Sequence, residues 1–314
     1  MGTRPSRNHS REGTQCWGRR CPLEAGLWWR KTRRGSSHVR RPGPYTTSVG
    51  PVDIAQVGPG RGSAGSQFAP SPIFVGLAAA WAASGWAAWS DAVKAEYAVF
   101  AFVFIGWIVS LCLHEYGHAR VAYWGGDRSV AERGYLTLDP LRYMQPGLSL
   151  LLPLVFLLLG GIGLPGGAVY VQPAAIRTNW QRSLMSAAGP LVNIALGVLG
   201  GMVFILAPGI VSGHPTFAAG LAFLVRLQFV AAILNLLPIP GLDGFGIIEP
   251  YLSRGVLEAI APYRAYTMLV LFFVAFQSDV FSRLVFGNAN TVSEAFNIPY
   301  DLIYLGRYLF EFWR

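Results

Sequence analysis

Several stretches of this chain are too apolar and too poor in charge to sit anywhere but a protein core or a lipid bilayer. Ile73–Trp89 and Tyr97–Leu113 are 17 residues each with no charged side chain, just long enough to cross hydrocarbon. Ser183–Pro208 is longer and also uncharged, and Phe217–Leu237 carries only Arg226. Tyr266–Phe276 is the shorter core of a last candidate, and Leu148–Leu159 is strongly apolar but only 12 residues long. Backbone inside lipid must satisfy its own hydrogen bonds, so segments of this kind span as helices. The fold class expected is therefore an all-α polytopic membrane protein with about five to six membrane helices. Composition agrees: 53% of the chain is hydrophobic and 13% charged, which excludes a disordered protein and argues against an ordinary soluble enzyme. Three cysteines, Cys16, Cys21 and Cys112, provide neither a disulfide scaffold nor a metal-binding pair.

The basic character of the chain is local. Residues 1–61 hold twelve basic residues against three acidic ones, which accounts for the whole net charge of +9. The remainder is neutral, so nucleic-acid binding is not expected of the body of the protein. Residues 1–70, rich in Arg, Gly, Ser and Pro, lack a sustained apolar period and are expected to be disordered. This tail is a cytoplasmic lead-in that orients the first span, a transit peptide, or sequence annexed by a false start. In the last case, with no Met between Met1 and Met144, the true start is another codon such as Val49 or Val57. Residues 71–280 form the expected catalytic domain. Residues 281–314 form a C-terminal segment whose last part, Ile298–Arg314, alternates apolar and charged residues as an interfacial amphipathic helix does.

The sharpest local signal is His114-Glu115-Tyr116-Gly117-His118. Histidines at i and i+4 share a helix face and can reach one Zn²⁺, and the Glu beside the first can take a proton from an attacking water. Composition alone predicts such a pattern about 0.002 times in a chain like this. Its place at the end of an apolar run adds weight, because ionisable groups in membrane segments are costly and functional by default. The bland alternative is a pair of interfacial histidines at a helix end. A zinc site needs a third protein ligand. His9 and His38 lie in the tail, and His214 lies in a short loop between spans. Asp243, in Asn235-Leu-Leu-Pro-Ile-Pro-Gly-Leu-Asp-Gly244, stands out. Pro238 and Pro240 break the helix there, while Gly241 and Gly244 allow close backbone approach. Asp243 either caps a following helix, Phe245–Ser253, or ligates the metal; the histidine pair tips the reading to ligand.

Together these residues resemble the site-2 protease family of intramembrane zinc metalloproteases. The resemblance covers residues 70–280. It rests on His-Glu-x-x-His in one membrane helix, Gly189-Pro190-Leu-Val-Asn193 in another, and Asn-Leu-Leu-Pro-Ile-Pro-x-Leu-Asp-Gly at the foot of a third, in the family's order. Gly241 stands where many relatives have Pro, and Phe245 where a second Gly is common; neither change removes a ligand. The resemblance implies that His114, His118 and Asp243 hold one Zn²⁺ per chain and that Glu115 is the catalytic base. It also implies that Asn193 lies near the zinc and helps bind substrate or stabilise the oxyanion. The implied activity is hydrolysis of a peptide bond in or near a transmembrane segment of a partner protein. Two alternatives stand beside it. One is a non-catalytic membrane scaffold or chaperone of the same fold. The other is a prenyl-type membrane zinc protease, whose third ligand would have to be a Glu such as Glu249, Glu258 or Glu294.

A cytoplasmic basic tail sets the directions of the spans. Ile73–Trp89 runs outward, Tyr97–His118 inward, Ser183–Pro208 outward and Phe217–Asp243 inward, so the site faces the cytoplasm, by expectation in a prokaryotic cell membrane. Leu148–Gln172 must then begin and end on one side. It is expected to form a re-entrant hairpin, with a turn through Gly160–Gly167 and a short β element at Ala168-Val-Tyr-Val171, beside the active site. The gaps between spans are too short for an inserted peptide-binding domain, and the 38 residues after Phe276 too few for a nucleotide-sensing pair. Arg226 and Gln228 fall in the outer half of their span, where Arg can snorkel. Cys112 occupies a different helix face from the histidines and is expected to pack as a small hydrophobe. Trp180 and Trp313 are expected at the membrane interface.

Overall fold

The computed structural model describes residues 68–143 and 171–313. Its frame is built of four long helices, α1 (Pro72–Trp89), α2 (Ala95–Gly125), α3 (Asn179–Leu206) and α4 (Pro215–Asn235). By length and composition, these are the four helices among the described residues able to cross a membrane. The starts of α1 and α3 are written locally. Ser71 accepts from Phe74 N–H at 3.1 Å ahead of Pro72, and Thr178 accepts from Gln181 N–H at 3.4 Å. Helix α2 continues past its apolar run and through His118 to a total of 31 residues, until Gly126, at φ 124°, ends it.

Glycines mark where the helices cross, and the crossings give their directions. A Cβ on Gly85 of α1 would meet Phe102 of α2 at 3.0 Å, and one on Gly106 of α2 would meet Trp81 Nε1 at 2.5 Å, so α1 and α2 are antiparallel. On α4, Gly220 faces Phe102 and Leu224 faces Gly106, so α2 and α4 are parallel. Gly197 and Gly200 of α3 face Phe229 and Val225 of α4, an antiparallel pair. Lipid supplies no hydrophobic drive between helices, so association in a bilayer rests on packing that small residues permit. The expected alternation of helix direction is thus present in the bundle.

The expectation of five to six membrane helices is met in part. The tail, Leu148–Leu159 and the glycine-rich turn lie outside the described residues, as does the expected β element up to Tyr170; no strand occurs among the described residues. Tyr266–Phe276 lies in a helix of 14 residues, Arg264–Gln277. At about 1.5 Å per residue that helix is roughly 21 Å long, short of a hydrocarbon core of about 30 Å.

After α4 come α5 (Asp243–Ile248), α6 (Arg264–Gln277), α7 (Asn288–Glu294) and α8 (Tyr300–Phe310). The amphipathic pattern expected of an interfacial helix is present in α8, and protein covers its inward face. Ile303 and Phe310 are buried, and a Cβ on Gly306 would fall on the carbonyl oxygen of Ala219 in α4. Tyr300, Tyr304 and Tyr308 are exposed on the other side. Arg226 does not snorkel outward, as its position in the span had suggested. Its Nε donates to Asn290 Oδ1 on α7 at 2.7 Å, and its guanidinium lies 5.3 Å from the Phe286 ring centre. A half-buried amide and an aromatic face do here what lipid headgroups would otherwise do.

Two glycine-to-alanine changes should have opposite signs. A methyl at Gly306 meets a backbone carbonyl that cannot turn away, whereas nothing lies within 4 Å of one at Gly76. G306A should lower stability by about 1–3 kcal/mol, and G76A should leave it unchanged or raise it by up to about 1 kcal/mol. Thermal unfolding of the detergent-solubilised protein reads the difference; equal responses would contradict the packing of α8 on α4.

Candidate metal centre

His114, Glu115 and His118 lie on the last third of α2 and are 5%, 3% and 7% exposed. Such burial of three ionisable groups needs partners. The third ligand arrives from the foot of α4. Pro238 and Pro240 end the helix, and the chain turns back through bonds from Leu237 N–H to Leu234 O (3.2 Å) and Leu242 N–H to Ile239 O (2.9 Å). Gly241 takes φ 98°, and a Cβ on Gly244 would fall on the Leu236 carbonyl. Helix α5 then docks on the start of α3, where Ser183 Oγ donates to Ile247 O at 2.6 Å and Asn179 Nδ2 to Pro250 O at 3.2 Å. Asp243 is the first residue of α5, and the cap position belongs to Leu242, so the capping alternative does not hold. Its carboxylate faces the histidines instead, with Oδ2 3.3 Å from His114 Nε2 and Oδ1 3.4 Å from His118 Nε2.

Each imidazole is aimed from behind. His118 Nδ1 lies 2.7 Å from the carbonyl oxygen of Met185, which can only accept, so Nδ1 carries the proton and the lone pair is on Nε2. His114 Nδ1 is bonded to Asn193 Oδ1, with the same consequence. The two Nε2 atoms are 3.1 Å apart. Two lone pairs and a carboxylate therefore converge on one point, an arrangement that calls for a cation. The three edges, 3.1, 3.3 and 3.4 Å, match the roughly 3.3 Å between ligand atoms of a tetrahedral zinc with bonds near 2.0–2.1 Å. Ligand chemistry, tautomers and spacing all fit Zn²⁺ held by His114, His118 and Asp243, with the fourth position left for water or substrate. Among the described residues this is the group able to hold a metal ion.

The remaining candidates separate cleanly. His214 sits at the other end of α4, where its Nδ1 bonds Trp89 O at 2.8 Å and its ring stacks on Trp89. Glu249 pairs with Arg264 Nη2 at 2.6 Å, which removes it as the third ligand a prenyl-type protease would need. Cys112 is free and buried, as a packing residue is. Asn193 lies beside the site as expected, but its acceptor oxygen is spent on the ring of His114, and its Nδ2 donates to Gln228 Oε1 at 2.8 Å.

Three further residues contribute for reasons that only the packing supplies. A Cβ on Gly189 would fall on Nε2 of both histidines, so this glycine is what lets α3 close over the metal position. The Gly-Pro motif was the available signal; its reason was not. Gln228 had been set aside as a residue of the outer half-span and is instead 3% exposed behind Asn193. Asp127, 1% exposed, accepts from Ser129 N–H at 3.0 Å and from Gln172 N–H at 2.7 Å, tying the segment that leads into α3 to the end of α2.

Zinc content should respond to a residue that never touches the metal. H114A and H118A should lose the roughly one zinc per chain that the intact trio holds. G189A, which keeps every ligand, should lose most of it too, because the added methyl occupies the space of the two Nε2 atoms. Metal analysis of purified protein decides this; full occupancy in G189A would mean that α3 does not close over the histidines.

No family model and no solved structure matches the chain. Curated relatives do. The protein named "Putative zinc metalloprotease Rip2" of Mycobacterium tuberculosis (strain H37Rv) is 45% identical over 78% of this chain and 94% of its own length. Its namesake in Mycolicibacterium smegmatis is 46% identical over 64% of this chain and 78% of its own. "Putative zinc metalloprotease YwhC" of Bacillus subtilis is 29% identical over 60% of this chain and 86% of its own. Similarity of that extent, on a helical bundle with two histidines and an aspartate converging beside a buried glutamate, leaves one family: the chain belongs to the site-2 protease family of zinc metalloproteases.

Proposed function

We propose that this zinc metalloprotease hydrolyses a peptide bond in or near a transmembrane segment of a substrate protein. The observation that carries the proposal is where the site lies: His114, Glu115, His118, Gly189 and Asn193 all belong to helices of membrane-spanning length and composition. A soluble protease has no reason to bury its catalytic residues in such helices. When bound, zinc lowers the pKa of a water and polarises the scissile carbonyl.

In this reading His114, His118 and Asp243 hold the metal. Glu115, one residue from one histidine and three from the other, takes the proton from the attacking water and later delivers it to the leaving amine. Asn193 keeps the His114 ring turned toward the metal, and its remaining amide hydrogen is the group available to a substrate oxygen. Asp243, at 24% side-chain exposure, is the most open of the three ligands and marks the side from which a substrate strand approaches. A membrane-embedded substrate is helical with its carbonyls already bonded, so it must unwind locally before attack.

Multi-pass insertion with the site toward the cytoplasm belongs to the same proposal, as do a transmembrane protein substrate and contact with membrane lipid. The antiparallel run of α1, α2, α3 and α4 supports the alternation of spans. Arg177 N–H donates to Gly125 O at 3.1 Å, so the end of α2 and the approach to α3 lie together at the metal end.

Incubating purified protein with a panel of single-span substrates, and mapping cuts by mass spectrometry, tests the activity. E115Q keeps the shape of the side chain but cannot accept the proton. It should bind zinc like the parent and cut at least about 100-fold more slowly. Cleavage by E115Q at the parental rate would remove Glu115 as base, and cuts confined to soluble loops would remove the intramembrane reading. Reporter fusions at Lys94 and His214 should read external, and those at Arg177 and Tyr251 cytoplasmic.

A further inference from the structure

We propose that Gln228 of α4 is a positioning residue for the metal centre: by accepting from Asn193, it holds that amide in the orientation that leaves His114 Nε2 free for zinc. This rests on the zinc-protease reading above, but it concerns metal affinity, which is measured with no substrate present.

An asparagine side chain has a donor end and an acceptor end of nearly the same shape. With Oδ1 toward His114, the ring proton must be on Nδ1, and Nε2 presents its lone pair. Turned by half a rotation, Asn193 would donate to Nδ1 and drive the proton onto Nε2, the atom that faces His118 Nε2 at 3.1 Å and Asp243 Oδ2 at 3.3 Å. A ring in that tautomer cannot ligate through Nε2. The bond between His114 and Asn193 does not by itself choose between the two.

Gln228 chooses. Its Oε1 lies 2.8 Å from Asn193 Nδ2, and a carbonyl oxygen there accepts only from the donor end. The chain Gln228 Oε1, Asn193 Nδ2–Oδ1, His114 Nδ1–Nε2 thus links a residue of α4 to a ligand on α2 through α3. Packing does not require an amide at this position. Leu227, Phe229 and Val230 beside it are buried in the hydrophobic core, and an unbranched apolar side chain would fill the same space. A primary amide that is only 3% exposed costs free energy unless its hydrogen bond is made. Partners behind ligating histidines commonly set metal affinity by 10- to 100-fold.

The experiment is zinc affinity, by competition with a chelator, for detergent-solubilised parent, Q228M, Q228E, N193D and N193D/Q228M. Q228M, matched in length but with no strong acceptor, should bind zinc about 10-fold more weakly. Q228E keeps an acceptor and should stay within about threefold of the parent. N193D/Q228M should recover, because a carboxylate at 193 has no donor end and holds the His114 tautomer without help. Recovery in the double variant is what a mere packing role would not produce. The proposal is overturned if Q228M binds zinc like the parent, or if its loss is not repaired by N193D. Should Q228M not fold, a folded Q228E with zinc binding weakened about 10-fold or more overturns it equally. Failure here with normal proteolysis leaves the protease reading intact. Normal zinc behaviour without proteolysis in the panel does the reverse.

Discussion

Two imidazole lone pairs and a carboxylate meet at one point between apolar helices, and much of the surrounding structure serves to make that meeting possible. Without a cation the three would repel or collect protons; with Zn²⁺ they form most of a tetrahedron. The convergence demands that α3 approach α2 closely enough for Met185 O and Asn193 Oδ1 to reach the rear nitrogens of the two rings. It demands that nothing project from α3 at the point of closest approach, which is where Gly189 lies. It also demands that the chain leaving α4 double back sharply, which Pro238, Pro240, Gly241 and Gly244 accomplish within a few residues.

The bundle around the site obeys the same logic of close approach. Gly85, Gly106, Gly197 and Gly200 sit under aromatic or branched side chains of the neighbouring helix. In a bilayer, where burial of apolar surface between helices gains little, such contacts carry the association. Several polar side chains inside the bundle bridge its helices: Asn193 pairs with His114 and Gln228, Arg226 with Asn290, and His214 with the Trp89 carbonyl. They fasten specific pairs of helices, so the position of a metal ligand on α2 depends on residues of α3 and α4.

Membership of the zinc metalloprotease family gives this arrangement its chemistry, and its location gives the chemistry its proposed substrate. His114, Glu115, His118 and Asn193 lie together in the bundle, with Asp243 on the less enclosed side. The last helix, α8, closes the opposite flank by laying Gly306 on the backbone of α4. Its tyrosine-lined outer face is exposed, while its inner face belongs to the core.

Legibility in the sequence followed the range of the interactions. The membrane-helix class, the histidine pair with the glutamate between them and the broken foot of α4 are local features. They follow from apolar run length, from the 3.6-residue period that brings positions 114 and 118 to one face, and from proline and glycine punctuation. Asp243 was legible because its setting is equally local. What the sequence by itself could not determine is anything that depends on which helix faces which. The bond from His114 to Asn193 spans 79 residues and that from Asn193 to Gln228 spans 35, and no local pattern announces either. For the same reason Arg226 looked like a snorkelling residue until α7 supplied its partner, and Gly189 looked like a motif letter until the histidines filled the space over it. Side-chain type and spacing determined which chemistry is present; tertiary packing alone decided which atoms are held in place to perform it.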